Sequence, residues 1–201
     1  MKEKHLNQIE VLLSAKKTAI YKEKYSNQWF SAYKNELKKS QELFIYLHFL
    51  EIFLRNKISN EFKNEFGDWV FDEKCKLQLT FKEKEKVEKV LLELGKTKKD
   101  LNLDNVVSNL NFGFWTNLFH KSYHVPVWQR NAMIERVFAF LKPHQRNLKN
   151  IQQELEEIRK FRNRIFHFET MQAWNFEEMK MQIDKFIYGI GGFGFDDFWV
   201  G

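Results

Sequence analysis

The stretch Leu43–Leu54 is apolar at ten of its twelve positions, and only His48 and Glu51 interrupt it. It is too short to span a bilayer. It reads instead as the centre of a long helix, about Tyr33 to Phe66, that is apolar almost all round and therefore buried in the middle of the fold. A chain carrying such a helix must wrap other helices around it. The composition agrees: only 8 Gly and 2 Pro in 201 residues disfavour turn-rich all-β folds. With 21 Phe and aromatics at 16%, there is ample material for one large core. The expectation is an all-α helical bundle, a single domain over residues 1–201.

Helical periodicity recurs along the chain. Residues from about Leu6 to Tyr25 read as one basic helix, with Ile9, Leu12, Leu13 and Ile20 on one side. Phe81 to Leu94 is a shorter, charge-laced helix with the stripe Val87, Val90, Leu91 and Leu94, and Gly95 stands at its expected cap. Pro126 is placed to open a helix through about Phe140, and Pro143 breaks the chain before the next. From about Gln145 to Glu169, apolar residues at 148, 151, 155, 158, 161, 165 and 168 form a strongly amphipathic helix. A last helix covers roughly Phe176 to Tyr188. The tail, GIGGFGFDDFWVG, holds five of the eight glycines. It reads as an irregular segment that packs Phe193, Phe195, Phe198 and Trp199 on the core, with a partner-facing arm as the other reading.

The net charge of +6 is unevenly placed. Residues 1–40 hold nine Lys against four Glu, and residues 142–164 hold seven Lys or Arg against three Glu. Such an imbalance permits polyanion binding, although a solvated Lys-rich surface has the same composition. If the polyanion is RNA, Lys16, Lys17, Lys22, Lys24, Arg146 and Lys149 are the candidate contacts, with Trp29, Tyr33, Trp128 and Trp174 as candidate stacking surfaces. A single Cys cannot form an internal disulfide or a structural zinc site, and the N-terminus has no apolar signal core. A cytoplasmic protein without a membrane segment, metal or cofactor is expected. His120 and His124 are i,i+4 neighbours but have no third ligand nearby.

Two features exceed composition. Ile151, Leu155, Ile158 and Ile165 cluster within about 80° of arc, and Arg162 falls inside that arc. A guanidinium there is costly unless it is paired or borders a groove open to an anion. On the Leu43–Leu54 helix, Gln41, His48, Glu51, Arg55 and Ser59 share one face and should meet a polar partner, for which Arg162, Asn163 and His167 are the obvious group. The bland reading is a Glu51–Arg55 pair that satisfies itself.

Arginine, histidine and an amide suit attack of an RNA 2′-hydroxyl on its own 3′ phosphate. A histidine can take the hydroxyl proton, and a fixed guanidinium can meet the charge that builds on the phosphoryl oxygens. Asn163 and His167, i,i+4 neighbours, let the amide orient the ring or hold the sugar. In a straight helix Arg162 and His167 lie about 140° apart. Either the helix is distorted there, or Arg162 bends around, or the site is shared by two chains.

Arg162-Asn163-x-x-x-His167 resembles the R-x(4–6)-H signature of HEPN proteins, specifically of the Abi-like (AbiD/AbiF-type) abortive-infection family. LHFLEIFLRNKI (Leu47–Ile58) is similar to that family's Leu-Glu-x-x-Leu-Arg-Asn helix, and LNFGFWTNLF (Leu110–Phe119) to its Phe-Gly-x-Trp-x-x-Leu-Phe segment. IRKFRNRIFHFE (Ile158–Glu169) matches its RNR-x-x-H-x-E core, and the three occur in the family's order between about residues 30 and 185. Phe168 stands where relatives often carry a second His, and the glycine-rich tail has no counterpart in the family. The resemblance implies a HEPN-like helical bundle with extra helices and a phage-defence role. It also implies a metal-independent endoribonuclease toxin that acts as a homodimer or higher oligomer and is restrained by a small non-coding RNA. Arg162, Asn163 and His167 would be catalytic, with His48, Glu51, Arg55, Arg159, Arg164 and Glu169 supporting them. A catalytically silent RNA-binding module and a structural dimerisation protein are the competing readings.

Overall fold

A computed structural model describes residues 3–71, 77, 79–95 and 101–199. It holds helices α1 (Glu3–Leu13), α2 (Ala15–Tyr25), α3 (Trp29–Phe66), α4 (Phe81–Gly95), α5 (Leu103–Asn109), α6 (Phe112–Asn117), α7 (Met133–Val137), α8 (Leu148–Phe166) and α9 (Phe176–Gly191). Among the described residues there is no strand, and no helix is long and apolar enough to cross a membrane. The fold is all-α.

The 38-residue α3 is the axis. Leu43, Tyr46, Leu47, Leu50, Leu54, Ile58 and Phe62 form its buried face. Each large apolar side chain withdrawn from water there stabilises the fold by about 1.5–3 kcal/mol. Helix α9 lies along this face and is its most extensive partner, while α6, α7 and α8 complete the cover. The burial is one-sided, which corrects the expectation of an all-round core helix. Phe44 and Ile45 are 43% and 39% exposed, and His48 faces solvent.

Other expected elements are also redrawn. The N-terminal helix is two helices, broken at Ser14, whose φ of 74° is incompatible with a continuous right-handed helix. Its stripe stays largely uncovered, with Leu12 85% and Ile20 40% exposed. Pro126 does not open a long helix. It sits in a five-residue π turn closed by Gln129 N–H donating to His124 C=O, and Asn131 and Ala132 are left-handed before α7 begins. This kinked stretch is clamped to α3: Arg130 and Asn131 donate to Glu65, and Arg136 donates to Glu61 and Glu65.

Helices α5 and α6, not anticipated from periodicity, are short and asparagine-capped. Asn102 accepts from Asn105 N–H and Asn111 from Phe114 N–H. They drive Phe112, Phe114, Trp115, Leu118 and Phe119 into the core, where Trp115 donates its indole N–H to Leu110 C=O. At the start of α4, Glu83 is buried and accepts hydrogen bonds from Thr80, Tyr123 and Asn117. Burial alone would raise its carboxyl pKa. The hydrogen bonds and the nearby Lys86 outweigh burial and hold it below the usual range.

The tail folds back as expected in part. Phe195 stacks on Tyr46 of α3, and its N–H donates to Asp184 of α9, while Phe193 sits edge-on to Phe53. The side chains of Phe198 and Trp199 lie outside the described residues. Gly189 makes the close approach of α9 possible, because a Cβ there would stand 2.7 Å from Leu141 Cγ. Gly189→Ala should therefore cost about 1–3 kcal/mol through overpacking, read as a lower urea midpoint with an unchanged slope.

Candidate functional site

Helix α8 starts at Asn147, whose side chain accepts from Asn150 N–H. Ile151, Leu155, Ile158 and Phe161 then bury one face, with Ile165 half-buried behind them. The helix stops at Phe166, three residues short of the expected end, so His167 is its C-cap and Glu169 lies beyond it. Two hydrogen bonds close the terminus: Phe168 N–H donates to Ile165 C=O at 3.0 Å, and Glu169 N–H donates to Arg164 C=O at 2.9 Å. This is the Schellman arrangement, which requires a left-handed residue after the cap and ordinarily uses glycine. Here Phe168 takes that place with φ 54° and leaves its ring 75% exposed. Lys17 of α2 donates to the Phe168 carbonyl oxygen at 2.6 Å, which fastens the basic N-terminal region to this cap.

Arg162 projects from α8 towards α3. Its Nη2 lies 3.4 Å from Glu51 Oε2, and its guanidinium carbon lies 3.8 Å from the centre of the Phe166 ring. Phe166 in turn stacks on Phe44 of α3 at 5.1 Å. The arginine on the apolar stripe is thus paired with a carboxylate and covered by an aromatic face, each of which offsets its desolvation. Its Nη1 also reaches Asn163 Oδ1 at 3.4 Å, while Nε is shielded from water and has no acceptor among the described residues. Part of the expected polar meeting between α3 and α8 is therefore present.

His167 stands outside that network. It is exposed, and among the described residues its imidazole takes no hydrogen bond, ion pair or ring contact. His48 is likewise exposed and only meets Phe49 edge-on. Arg55 turns away from Arg162, to Asn56 Oδ1 and the Ser108 carbonyl oxygen, so the Glu51–Arg55 pair does not form. Arg164 pairs with Glu169 at 3.3 Å and donates to the Thr170 carbonyl oxygen, which braces the turn after the cap. Arg159 holds Glu156 at 2.6 Å, and its stem crosses Gly113 of α6, where an added Cβ would lie 3.7 Å from Arg159 Cδ. Its hydrogen bonds keep the Glu156 carboxyl below the usual range. Arg162, Asn163 and Glu51 are brought together; His48, Arg55, Arg159 and His167 are not part of that cluster.

The basic candidates divide in the same way. Lys17 is committed to Phe168, Lys22 to Glu10 at 2.5 Å, and Arg146 to the Ala139 carbonyl oxygen at 3.0 Å. Lys16, Lys24 and Lys149 are exposed and make no ion pair among the described residues. Of the stacking candidates, Trp29 and Trp128 are core residues, whereas Tyr33 and Trp174 are half-buried. The sequence reading missed the apolar surface formed by Phe44, Phe166 and Phe168 beside His167, which borders a cavity of about 320 Å³ reached also by Lys17 and Leu37. The i,i+4 spacing of Arg162 and Phe166 was the available signal. No group of three or more His, Cys, Asp or Glu able to hold a metal ion occurs among the described residues.

Comparison of the chain with known protein families, with curated proteins and with solved structures finds no match.

Two substitutions test this geometry through stability alone. Glu51→Ala leaves a half-buried guanidinium unpaired and should lower stability by about 1–2 kcal/mol. Phe168→Gly relieves a left-handed phenylalanine whose side chain is mostly in water, and should raise the melting temperature by the equivalent of about 0.5–1 kcal/mol. Both are read by thermal denaturation at constant pH.

Proposed function

We propose that this protein binds RNA and cleaves it without a metal ion, with His167 as the base and Arg162 as the phosphate-stabilising group. One observation carries the proposal. Arg162 is held against Glu51 and Phe166 at the end of α8, and just beyond it His167 presents an unengaged imidazole to solvent. Arg162 is not sealed off, since its side chain keeps 24% of its exposure. The 3.4 Å separation from Glu51 is long for a charge-assisted bond, so a phosphate oxygen can compete for the guanidinium.

In this reaction His167 takes the proton of the ribose 2′-hydroxyl. The oxygen attacks the adjacent phosphorus, and the bond from phosphorus to the 5′-oxygen breaks. Arg162 meets the charge gathering on the phosphoryl oxygens. The leaving 5′-oxygen takes a proton from the imidazolium, so the products are a 2′,3′-cyclic phosphate and a 5′-hydroxyl end. Asn163, already near Arg162, is placed to hold the sugar.

A second copy of the chain fits this reading. A general base is normally oriented by a further group, and within one chain the His167 ring has none among the described residues. The exposed rings of Phe44, Phe166 and Phe168 supply an apolar surface on which two such ends could face one another. The phage-defence setting and restraint by a small RNA rest on the resemblance of the three motifs alone. The same unoriented imidazole supports the second reading, an RNA-binding module without catalysis.

Incubating purified protein with single-stranded RNA in EDTA separates the two readings. Cleavage to cyclic-phosphate ends is expected, reduced about a hundredfold or more by His167→Ala with unchanged helicity. Equal cleavage by the variant would overturn the assignment of His167. Binding should weaken steeply with salt, and Lys16→Ala with Lys24→Ala and Lys149→Ala should flatten that slope without loss of fold.

A further inference from the structure

A second cavity, of about 350 Å³, opens where α2 and the first turns of α3 meet the segment between α8 and α9. Its volume falls in the range of small-molecule sites. Tyr25 and Trp174 give it partly exposed aromatic surface, and Gln28, Asn35 and Gln172 add side-chain amides. Glu36 completes the wall, with Oε1 accepting from the Tyr21 hydroxyl at 2.5 Å and from Met171 N–H at 3.0 Å.

Two hydrogen-bonding positions in this wall are unspent. Gln172 Nε2 is shielded from bulk water and has no acceptor among the described residues. Glu36 Oε2 takes no hydrogen bond among the described residues, although its sister oxygen takes two. A shielded donor without an acceptor is costly, and the Gln172 amide gains a partner when it turns towards an acceptor seated in the cavity.

We propose that this cavity takes one unstacked base of a single-stranded RNA, an inference that rests on the RNA-binding reading above. Single-stranded RNA is recognised by stacking splayed-out bases on aromatic side chains and bonding their edges to polar groups. The combination here of aromatic surface, amides and one carboxylate matches that chemistry. Phosphate can be met at the rim by Lys39, which also lines the cavity. Glu36 borders both this cavity and the one beside Phe166 and Phe168, so a base seated here would set the register of the strand relative to His167.

The free carboxylate oxygen also sets a preference. It can accept from an exocyclic amino group, which adenine, cytosine and guanine have and uracil lacks, while Gln172 donates to a ring nitrogen or carbonyl. Cytosine and uracil are the closest pair in size, so they isolate this effect.

The test uses the full chain carrying His167→Ala, so that the RNA stays intact, with fluorescein-labelled hexamers of cytidine and of uridine followed by anisotropy in EDTA. The cytidine hexamer is expected to bind about fivefold or more tightly. Gln172→Ala should weaken its binding about tenfold, and Glu36→Gln should remove the preference for cytidine over uridine. Neither should alter the salt slope, which reports phosphate contacts. Because Glu36 also holds Tyr21 and Met171, circular dichroism and melting of each variant accompany the titration, and Gln172→Ala gives an independent reading, since the Gln172 side chain has no hydrogen bond to lose among the described residues. Equal affinity for both hexamers together with an inert Gln172→Ala overturns the base site and leaves RNA binding standing. If neither hexamer binds even at low salt, the RNA reading falls and the base site with it. Cleavage unchanged by His167→Ala removes only the assignment of His167 as the base.

Discussion

Most of the molecule depends on covering one face of α3. A helix of 38 residues, roughly 57 Å long at 1.5 Å per residue, has no internal means of hiding Leu47, Leu50, Leu54, Ile58 and Phe62 from water. The partner helices are short beside it, and each covers only a segment. Helix α9 takes the longest share, α8 and α6 another, and the kinked α7 region the end near Phe62. Polar residues at the edges of the face fix where each partner sits: Glu42 meets Lys180, Glu51 meets Arg162, and Glu61 and Glu65 meet Arg136. These carboxylates act as register marks along an otherwise featureless apolar surface.

The candidate site follows from that placement. Arg162 lies on the apolar stripe of α8 because Glu51 waits on α3, and Phe166 covers it because Phe44 lies beneath. The end of α8 is fixed by hydrogen bonds that need a left-handed residue, and Lys17 holds the carbonyl of that residue. His167 is therefore presented by a hydrogen-bonded cap, while its own side chain has no partner among the described residues. The two ends of the chain's basic character, α2 and α8, converge here through one lysine.

Periodicity made the main helices legible, because burial of one face dictates spacing. Val87 and Leu94 of α4, Ile151 to Phe161 of α8 and Met179 to Ile187 of α9 are buried where the 3- and 4-residue steps place them. Breaks governed by backbone dihedrals were not legible. Ser14, Asn131, Ala132 and Phe168 adopt positive φ although none is glycine, and no local rule predicts this for alanine or phenylalanine. Helices α5 and α6 were missed because six or seven residues are too few for a period to show, and their asparagine caps carry the signal instead. At the site, the meeting of Glu51 with Arg162 was legible from a polar stripe that needed a partner. The isolation of His167 was not, since it depends on the helix ending at Phe166 instead of running on to Glu169.

The long pairing of α3 with α9 also bears on how the chain is born. From Phe66 to Phe176 the sequence advances 110 residues before the principal cover of α3 begins. At about 5–20 residues per second on a ribosome, the apolar face of α3 waits on the order of ten seconds for its partner. During that interval Leu43, Leu47, Leu50 and Leu54 have only early neighbours to lean on. Closing this contact across so long a stretch of chain carries a loop-closure cost that the formation of a single helix does not meet.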